Sequence, residues 1–233
     1  YDHVPLPGRM TVSLSPKPDP DPEQLRNELA NTLVGRGFHE VMHNSLVSSD
    51  HLTLVADASI HPDRAVHLLN PLSSELDIMR QSLLFQAVET VARNRNHQRP
   101  DLMLFEFGKV YRTHEGGGYE ESERLALTVT GRPSPESWRP TDGDGLSVLK
   151  GAVEALLVQS GVRGLKCAPL AGGDCFKEGL EWTGSKGFSA RVGVVHPTIT
   201  RTFGVDAEVY HADLPFEQLV KWTGKLRIKA GEL

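Results

Sequence analysis

The stretch DLMLFEFGKVYRT, from Asp101 to Thr113, is the strongest β-strand signal in the chain and decides its fold class. It is rich in aromatic and branched residues, which favour strands. Phe105 and Phe107 alternate with Glu106 and Gly108, so one face of the strand is apolar and the other is mixed. A strand of this kind needs a neighbour to pair its backbone groups.

A second strand follows after a turn. The residues HEGGGYEESE (114–123) are rich in glycine and glutamate and predict the turn, and RLALTVTGR (124–132) predicts the strand. We therefore expect an antiparallel hairpin with a long loop. Glycine turns separate apolar runs between residues 179 and 214, which predicts three or four further short strands. HEVMHNSLVS (39–48) also predicts one strand.

Helical patterns lie before, between and after these strands. Asp21 and Pro22 are a typical N-cap and first helical residue, and they predict a helix that ends near Gly35. Helix character begins again near Arg80 and continues to residue 98. The clearest helical pattern covers residues 146–161, and a short last helix is expected at 215–222. Helices occur together with antiparallel hairpins, and the elements do not follow a repeated βαβ order. This pattern predicts the α+β fold class.

Composition limits the functional classes. Of the 233 residues, 39% are hydrophobic and 24% are charged, which is typical of a globular protein. No apolar run approaches the roughly 20 residues of a membrane-spanning helix, so no membrane partner is expected. The net charge of −5 argues against general nucleic-acid binding. Only Cys167 and Cys175 are present, which suits a cytoplasmic location.

The organisation of the chain suggests a piece of a longer protein. It begins at YDHVPLPGR without methionine and ends at KLRIKAGEL. Four prolines between positions 16 and 22 predict an extended lead-in over residues 1–22 from an upstream domain. The domain itself is expected over residues 23–221, with a candidate subdomain joint near 133–145. Residues 222–233 are expected to be a linker towards a further domain.

Residues 69–84, LNPLSSELDIMRQSLL, raise the question of a catalytic serine or a phosphate-binding loop. Ser73 and Ser74 have no G-x-S-x-G context and no obvious histidine partner, so a turn or helix-capping role is favoured. No Walker-type loop and no G-x-G-x-x-G motif occurs. His39 and His43 lie on a predicted strand without the glutamate of a zinc protease, so no metal site is predicted.

One candidate site is a charged cluster on the central strand. Glu106 and Arg112 share a strand face by period-two counting, and Arg80 could approach them from the start of the preceding helix. Such a cluster could bind a small carboxylate, as in a ligase-like domain. It could equally be an internal ion pair.

A second candidate site is the basic run RNRNHQR, with Arg93, Arg95 and Arg99. These side chains could contact RNA phosphates and make the chain a tRNA-contacting module. Positive side chains at a helix C-terminus also interact favourably with the helix dipole. The second interpretation is favoured.

A longer run identifies a family. The residues LNPLSSELDIMRQSLLFQAVETVARNRNHQRPDLMLFEFGKVY (69–111) closely resemble the beta chain of bacterial phenylalanyl-tRNA synthetase, in its region similar to a synthetase core. Three further pieces agree in order: YDHVPLP at the start, GVVHPTITRTFGV (193–205) and VYHADLPFEQLVK (209–221). The resemblance covers nearly all of residues 1–221.

The resemblance implies a class II aminoacyl-tRNA synthetase fold, an antiparallel sheet flanked by helices. In this family the alpha subunit holds ATP and phenylalanine, and the beta subunit carries a related core without the reaction. The implied partners are the alpha subunit, in an α2β2 heterotetramer, and tRNA(Phe) through the whole enzyme. ATP and magnesium belong to that whole enzyme, and no cofactor is expected in this chain. Editing and magnesium binding are expected upstream of Tyr1, and an anticodon-binding domain is expected after Leu233.

The resemblance also implies a degenerate site without catalytic residues. Class II enzymes use an arginine on the motif 2 strand, an aromatic residue after the motif 2 loop and a second arginine in motif 3. Arg112 stands at roughly the first position, but the return strand RLALTVTG lacks the aromatic residue, and TRTFGVDAEVY (200–210) contains no GxGxxR. The acidic loop 114–123 is unfavourable for phosphates. The first helix, from Pro22 to Val34, and the strand through Val47 occupy the motif 1-like position that builds interfaces.

Overall fold

The computed structural model describes residues 21–55, 57, 59–71, 73, 75–114, 116–132, 144–170 and 175–223. Most of the predicted lead-in, most of the candidate joint, most of the predicted linker and Ser74 lie outside the described residues. The helices are α1 (Pro22–Gly35), α2 (Leu84–Asn96), α3 (Gly145–Gln159), α4 (Pro197–Thr202) and α5 (Phe216–Thr223). The strands are β1 (His39–Glu40), β2 (Leu46–Val47), β3 (Val66–His67), β4 (Ile78–Met79), β5 (Leu102–Thr113), β6 (Tyr119–Thr130), β7 (Lys166–Leu170), β8 (Phe176–Thr183), β9 (Ser189–Val195) and β10 (Val209–Pro215).

A seven-stranded sheet organises the fold, in the order β1-β5-β6-β10-β9-β8-β7. β1 runs parallel to β5, and the other neighbours are antiparallel. β5 and β6 pair along their whole length, from Leu102 opposite Thr130 to Thr113 opposite Tyr119. The predicted hairpin is confirmed, but its loop is short because β6 begins at Tyr119 and not near Arg124.

Helices α1, α3 and α5 cover one face of this sheet. Their apolar stripes join alternating residues of β5, β6, β9 and β10 in the larger hydrophobic core. Leu29 of α1, Leu156 of α3 and Phe105 of β5 are all buried in this core. Asp21 caps α1, since its Oδ1 accepts hydrogen bonds from first-turn N–H groups such as that of Glu23. The predicted start and end of this helix are confirmed.

A second apolar cluster lies against the opposite face of the sheet. It contains residues of α2 and α4, of a three-stranded sheet in the order β2-β4-β3, and of the large sheet. Val88 and Val91 of α2 are completely buried in it. The large sheet contributes Phe176, Val195 and Val209. The cluster covers only part of this face and leaves the rest to polar residues.

Several sequence predictions are wrong in detail. The strand predicted over 39–48 is broken into β1 and β2, which belong to different sheets. α2 begins at Leu84 and not near Arg80, because residues before it are held in extended pairings. The N–H of Arg80 donates to the carbonyl of Ser45, and the carbonyl of Arg80 accepts from the N–H of Tyr111. Strand β7 and helix α4 were not predicted. Within the described ranges, no helix combines the length and hydropathy needed to cross a bilayer.

Candidate functional site

The sheet face away from α1, α3 and α5 carries a row of charged residues. Asp213 of β10 lies between Ala126 of β6 and Arg191 of β9, and Arg191 lies opposite Glu181 of β8. Ala126 in turn lies opposite Glu106 of β5. Paired residues in a sheet point to the same face. The register therefore gathers charges from four strands on one surface.

A cleft of about 460 Å³ lies over this surface. Side chains of both charge signs line it, together with several hydroxyl and amide groups. The charged lining residues are Arg112, Arg124, Arg191, Glu181 and Asp213. Since a pocket of this size can hold a small molecule, the cleft is the candidate functional site.

Asp213 is shared by two of the cleft arginines. Nε and Nη2 of Arg124 donate to its two oxygens over 2.8 and 2.5 Å, which is a bidentate pair. Nη2 of Arg191 lies 3.7 Å from Oδ2 of the same carboxylate. Burial acts to raise the pKa of Asp213, but the two guanidiniums outweigh it and hold this pKa below its ordinary value. Asp213 is therefore a carboxylate at neutral pH, and it compensates both arginines.

Asp57, which precedes β3 in the chain, supplies a second carboxylate and is only 6% exposed. Nη1 of Arg191 donates to its Oδ1 over 3.2 Å and to its Oδ2 over 3.3 Å. The hydroxyl and the N–H of Ser59 and the N–H of Cys175 also donate to it. Burial acts to raise the pKa of Asp57, but Arg191 and these hydrogen bonds lower it to about 2.

Arg112 is the least compensated guanidinium of the cleft. Its Nη2 donates to the carbonyl of Ser59 over 2.6 Å, while its buried Nε has no hydrogen-bond partner in the described part of the chain. Glu120 acts on it electrostatically but is itself paired with Arg64 over 2.8 Å. Burial lowers the pKa of Arg112, and the charges of Arg64 and Arg124 act in the same direction.

Arg80 and Glu106 meet in the interior, where both are buried. Nη1 of Arg80 donates to Oε1 of Glu106 over 2.8 Å, and Nδ1 of His43 lies 2.6 Å from Oε2. Arg80 also donates to Gln86 and to the carbonyl of Lys109. Burial acts to raise the pKa of Glu106, but His43 and Arg80 outweigh it and lower that pKa. Every oxygen of Glu106 is thus engaged inside the chain.

The structure separates the candidate residues predicted from the central strand. Arg80 and Glu106 come together, but Arg112 lies six residues further along β5 than Glu106, roughly 20 Å away at strand rise. Arg112 belongs to the cleft, whereas the Arg80–Glu106 pair is part of the interior. The fold thus divides one predicted cluster into two.

The other candidate residues lie elsewhere. Arg93 and Arg95 are in the last turn of α2, and Arg99 follows the helix. The carbonyl of Ser73 accepts from the N–H of Leu76 in a turn well before α2, so Ser73 does not cap this helix. Nε2 of His43 contacts the hydroxyl of Thr90. Among the described residues, no group of three or more metal-binding side chains is close enough to hold an ion.

The sequence interpretation did not find the residues that dominate the cleft. Arg124, Arg191 and Asp213 stand on strands next to fully apolar positions, such as Val192 and Leu214. A single charged residue among the apolar residues of a strand is a signal that could have identified them. Asp57 gives no such signal, since its role depends on a contact with Arg191, which is 134 positions away in sequence.

Comparison with known proteins identifies the family. The family model described as "Phenylalanyl tRNA synthetase beta chain CLM domain" matches residues 9–216. The chain belongs to this family. This agrees with the family predicted from residues 69–111 and its flanking segments.

Curated relatives support the same assignment. The chain is 34% identical over 247 residues to the phenylalanine–tRNA ligase beta subunit of Bacteroides thetaiotaomicron, covering 100% of this chain and 30% of the relative. It is 32% identical over 232 residues to that of Syntrophotalea carbinolica, covering 96% of this chain and 28% of the relative. The chain thus spans about 30% of the length of the curated relatives it matches.

Solved structures confirm the fold. Pyrrolysyl-tRNA synthetase from Desulfitobacterium hafniense superposes with a TM-score of 0.64 at 16% identity, over 85% of this chain and 68% of that one. This likeness concerns the fold alone. The predicted class II synthetase fold, with an antiparallel sheet flanked by helices, is confirmed.

Proposed function

We propose that this chain is the non-catalytic synthetase-like core of a phenylalanine–tRNA ligase beta subunit. In this proposal it pairs with the alpha subunit in an α2β2 enzyme that attaches phenylalanine to tRNA, using ATP and magnesium bound outside this chain. The names of the curated relatives support the assignment to the beta subunit. The proposed location is the cytoplasm, where translation takes place.

The proposal that the core is non-catalytic is based on the arginines of the cleft, which are already bound to partners within the chain. Activation of an amino acid with ATP needs fixed positive charge aimed at the reacting phosphate. In the described part of the cleft, Arg124 and Arg191 are bound to Asp213 and Asp57, and Arg112 is bound to the carbonyl of Ser59. A triphosphate would have to displace these partners and approach two carboxylates, which is unfavourable.

The surface near β1 supports the proposal of a subunit-pairing role. The side chain of Met42 is 92% exposed, and Val34 at the end of α1 is 58% exposed. The backbone next to Met42 is fixed on both sides, because the N–H of Val41 donates to the carbonyl of Phe105 and that of His43 to the carboxylate of Glu106. An exposed methionine on a backbone held in this way is suited to packing against a partner.

The test compares adenylate formation in defined complexes. The complete beta subunit is prepared alone and with its alpha subunit, and ATP–pyrophosphate exchange with phenylalanine is measured. We expect no exchange from the beta subunit alone. In the complex, Arg112→Gln in the beta subunit should leave the rate within about twofold, an effect below roughly 0.5 kcal/mol.

The control variant is Arg201→Gln, which removes an exposed arginine outside the cleft. Gel filtration verifies that each variant still forms the complex. Exchange by the beta subunit alone would disprove the proposal. So would a loss above about tenfold, or 1.4 kcal/mol, for Arg112→Gln in an intact complex with no effect of Arg201→Gln.

A further inference from the structure

The cleft contains the parts of an anion-binding site together with an internal anion. We propose that Arg112, Arg124 and Arg191 form a binding site for a small oxyanion, and that the carboxylate of Asp57, held with Ser59, occupies part of this site. This inference goes beyond the proposed function, because it concerns the cleft itself and does not depend on the alpha subunit.

Asp57 is coordinated as a bound oxyanion would be. One guanidinium nitrogen of Arg191 donates to both of its oxygens over 3.2 and 3.3 Å. The backbone N–H of Ser59 donates to Oδ1 over 2.7 Å, and that of Cys175 donates to Oδ2 over 3.3 Å. Proteins bind carboxylates and phosphates with the same combination of guanidinium and backbone N–H groups. The charge of Asp57 therefore compensates Arg191 as a ligand's charge would.

Ser59 connects Asp57 to Arg191 and to Arg112. Its hydroxyl accepts from Nη2 of Arg191 over 2.9 Å, and its carbonyl accepts from Nη2 of Arg112 over 2.6 Å. A carbonyl oxygen carries only a partial charge, and Glu120, which lies opposite Arg112 on β6, is itself paired with Arg64, so the charge of Arg112 is only partly compensated. The buried Nε of Arg112, which has no partner among the described residues, is one more unused donor.

The remaining lining limits the class of ligand. Hydroxyl and amide groups from Ser122, Ser189 and Gln218 also face the cleft, which has a volume of about 460 Å³. Asp213 still compensates Arg124, and Glu181 adds a negative charge to the lining. With Asp57 included, three carboxylates balance the three arginines, and without it one positive charge remains, which suits inorganic phosphate, sulfate or a small carboxylate and disfavours a triphosphate.

The experiment uses the complete beta subunit in its complex with the alpha subunit, and inorganic phosphate as the probe. Asp57→Asn removes the charge and keeps one oxygen that can accept from Ser59, while its NH2 group replaces the oxygen that accepts from Cys175. Phosphate is titrated by calorimetry at constant ionic strength. We expect Asp57→Asn to bind phosphate at least about tenfold more tightly than the unaltered complex, since a charged hydrogen-bonding competitor has been removed.

Two controls identify the site. Asp63→Asn neutralises an exposed aspartate of a short 3₁₀ helix outside the cleft and should behave as the unaltered complex. Adding Arg112→Gln to Asp57→Asn should abolish the gain, which distinguishes this site from phosphate sites elsewhere in the complex. Acetate titrated in the same way distinguishes a general oxyanion site from one that is specific for phosphate.

Equal phosphate affinity in the unaltered and Asp57→Asn complexes would overturn the inference, as would a gain that survives Arg112→Gln. If Asp57→Asn lowers the melting temperature, phosphate should raise it more than chloride of equal ionic strength, because a ligand stabilises the state that binds it. An absence of this selective stabilisation would also overturn the inference. None of these outcomes affects the proposal on catalysis, which depends on exchange activity.

Discussion

The two faces of the seven-stranded sheet are made from the same strands but are stabilised by different means. Beneath α1, α3 and α5, the residues are apolar, as at Phe105, Leu127 and Val192. On the cleft face, the neighbouring positions in the same strands carry Glu106 and Arg191. The apolar face depends on area removed from water, which is not directional. The cleft face depends on specific partners, so the loss of one charge leaves another without compensation.

Breaking the buried ion pair on the cleft side is expected to have the largest effect. Glu106→Ala leaves Arg80 charged at 3% exposure and removes a partner of His43. We expect it to lower the free energy of unfolding by about 3 to 5 kcal/mol, because an unpaired buried charge is retained. Urea denaturation monitored by circular dichroism measures this loss.

The double variant Arg80→Met with Glu106→Leu is the control for this pair. It removes both charges and keeps much of the volume, so it should destabilise less than Glu106→Ala alone. If Glu106→Ala lowered the free energy of unfolding by less than about 1 kcal/mol, the Arg80–Glu106 pair would not be a main contributor to stability on this face.

A cavity on the helix-covered face is expected to have a somewhat smaller effect. Leu156 of α3 is completely buried in the larger core. Leu156→Ala should lower the free energy of unfolding by about 3 kcal/mol, whereas the volume-conserving Leu156→Met should lower it by less than about 1.5 kcal/mol. Urea denaturation of the two variants checks this. If Leu156→Met were as destabilising as Leu156→Ala, the stability of this face would depend on more than the volume of its buried side chains.

The smallest of these effects concerns acid sensitivity on the cleft side. His211 of β10 is 2% exposed, and its Nδ1 lies 2.9 Å from the hydroxyl of Thr128. Burial lowers the pKa of His211 to about 4, so it is neutral in the folded state, whereas the unfolded chain takes up a proton near pH 6.5. The unfolded state therefore binds more protons between these values, and stability falls as the pH decreases through this range.

His211→Gln should remove this pH dependence, while its amide can still bond to Thr128. Between pH 7 and pH 4, we expect the unaltered chain to lose roughly 2 to 3 kcal/mol more stability than the variant. Urea denaturation at both pH values gives the difference. His39→Gln, at an exposed position, is the control and should keep the acid sensitivity of the unaltered chain.

Much of the fold could be predicted because its signals are local. Asp21 marked the start of α1, and the alternation around Phe105 marked β5. The prediction failed at residues 39–48 and near Arg80, where short strands pair with distant segments. A two-residue strand carries too little pattern to identify, because its existence depends on the partner that completes its hydrogen bonds.

The sequence by itself indicated α1, α2, α3 and α5, the central hairpin and the family, because caps, periodicity and a long similar run are properties of neighbouring residues. The family resemblance also matched Arg112 with the arginine that class II enzymes carry on the motif 2 strand. Only the tertiary structure decided which partner each charge has: Arg80 with Glu106, Arg124 with Asp213, and Arg191 with Asp57. The physical reason is that electrostatic compensation depends on distance in space, and strands far apart in sequence bring these charges together.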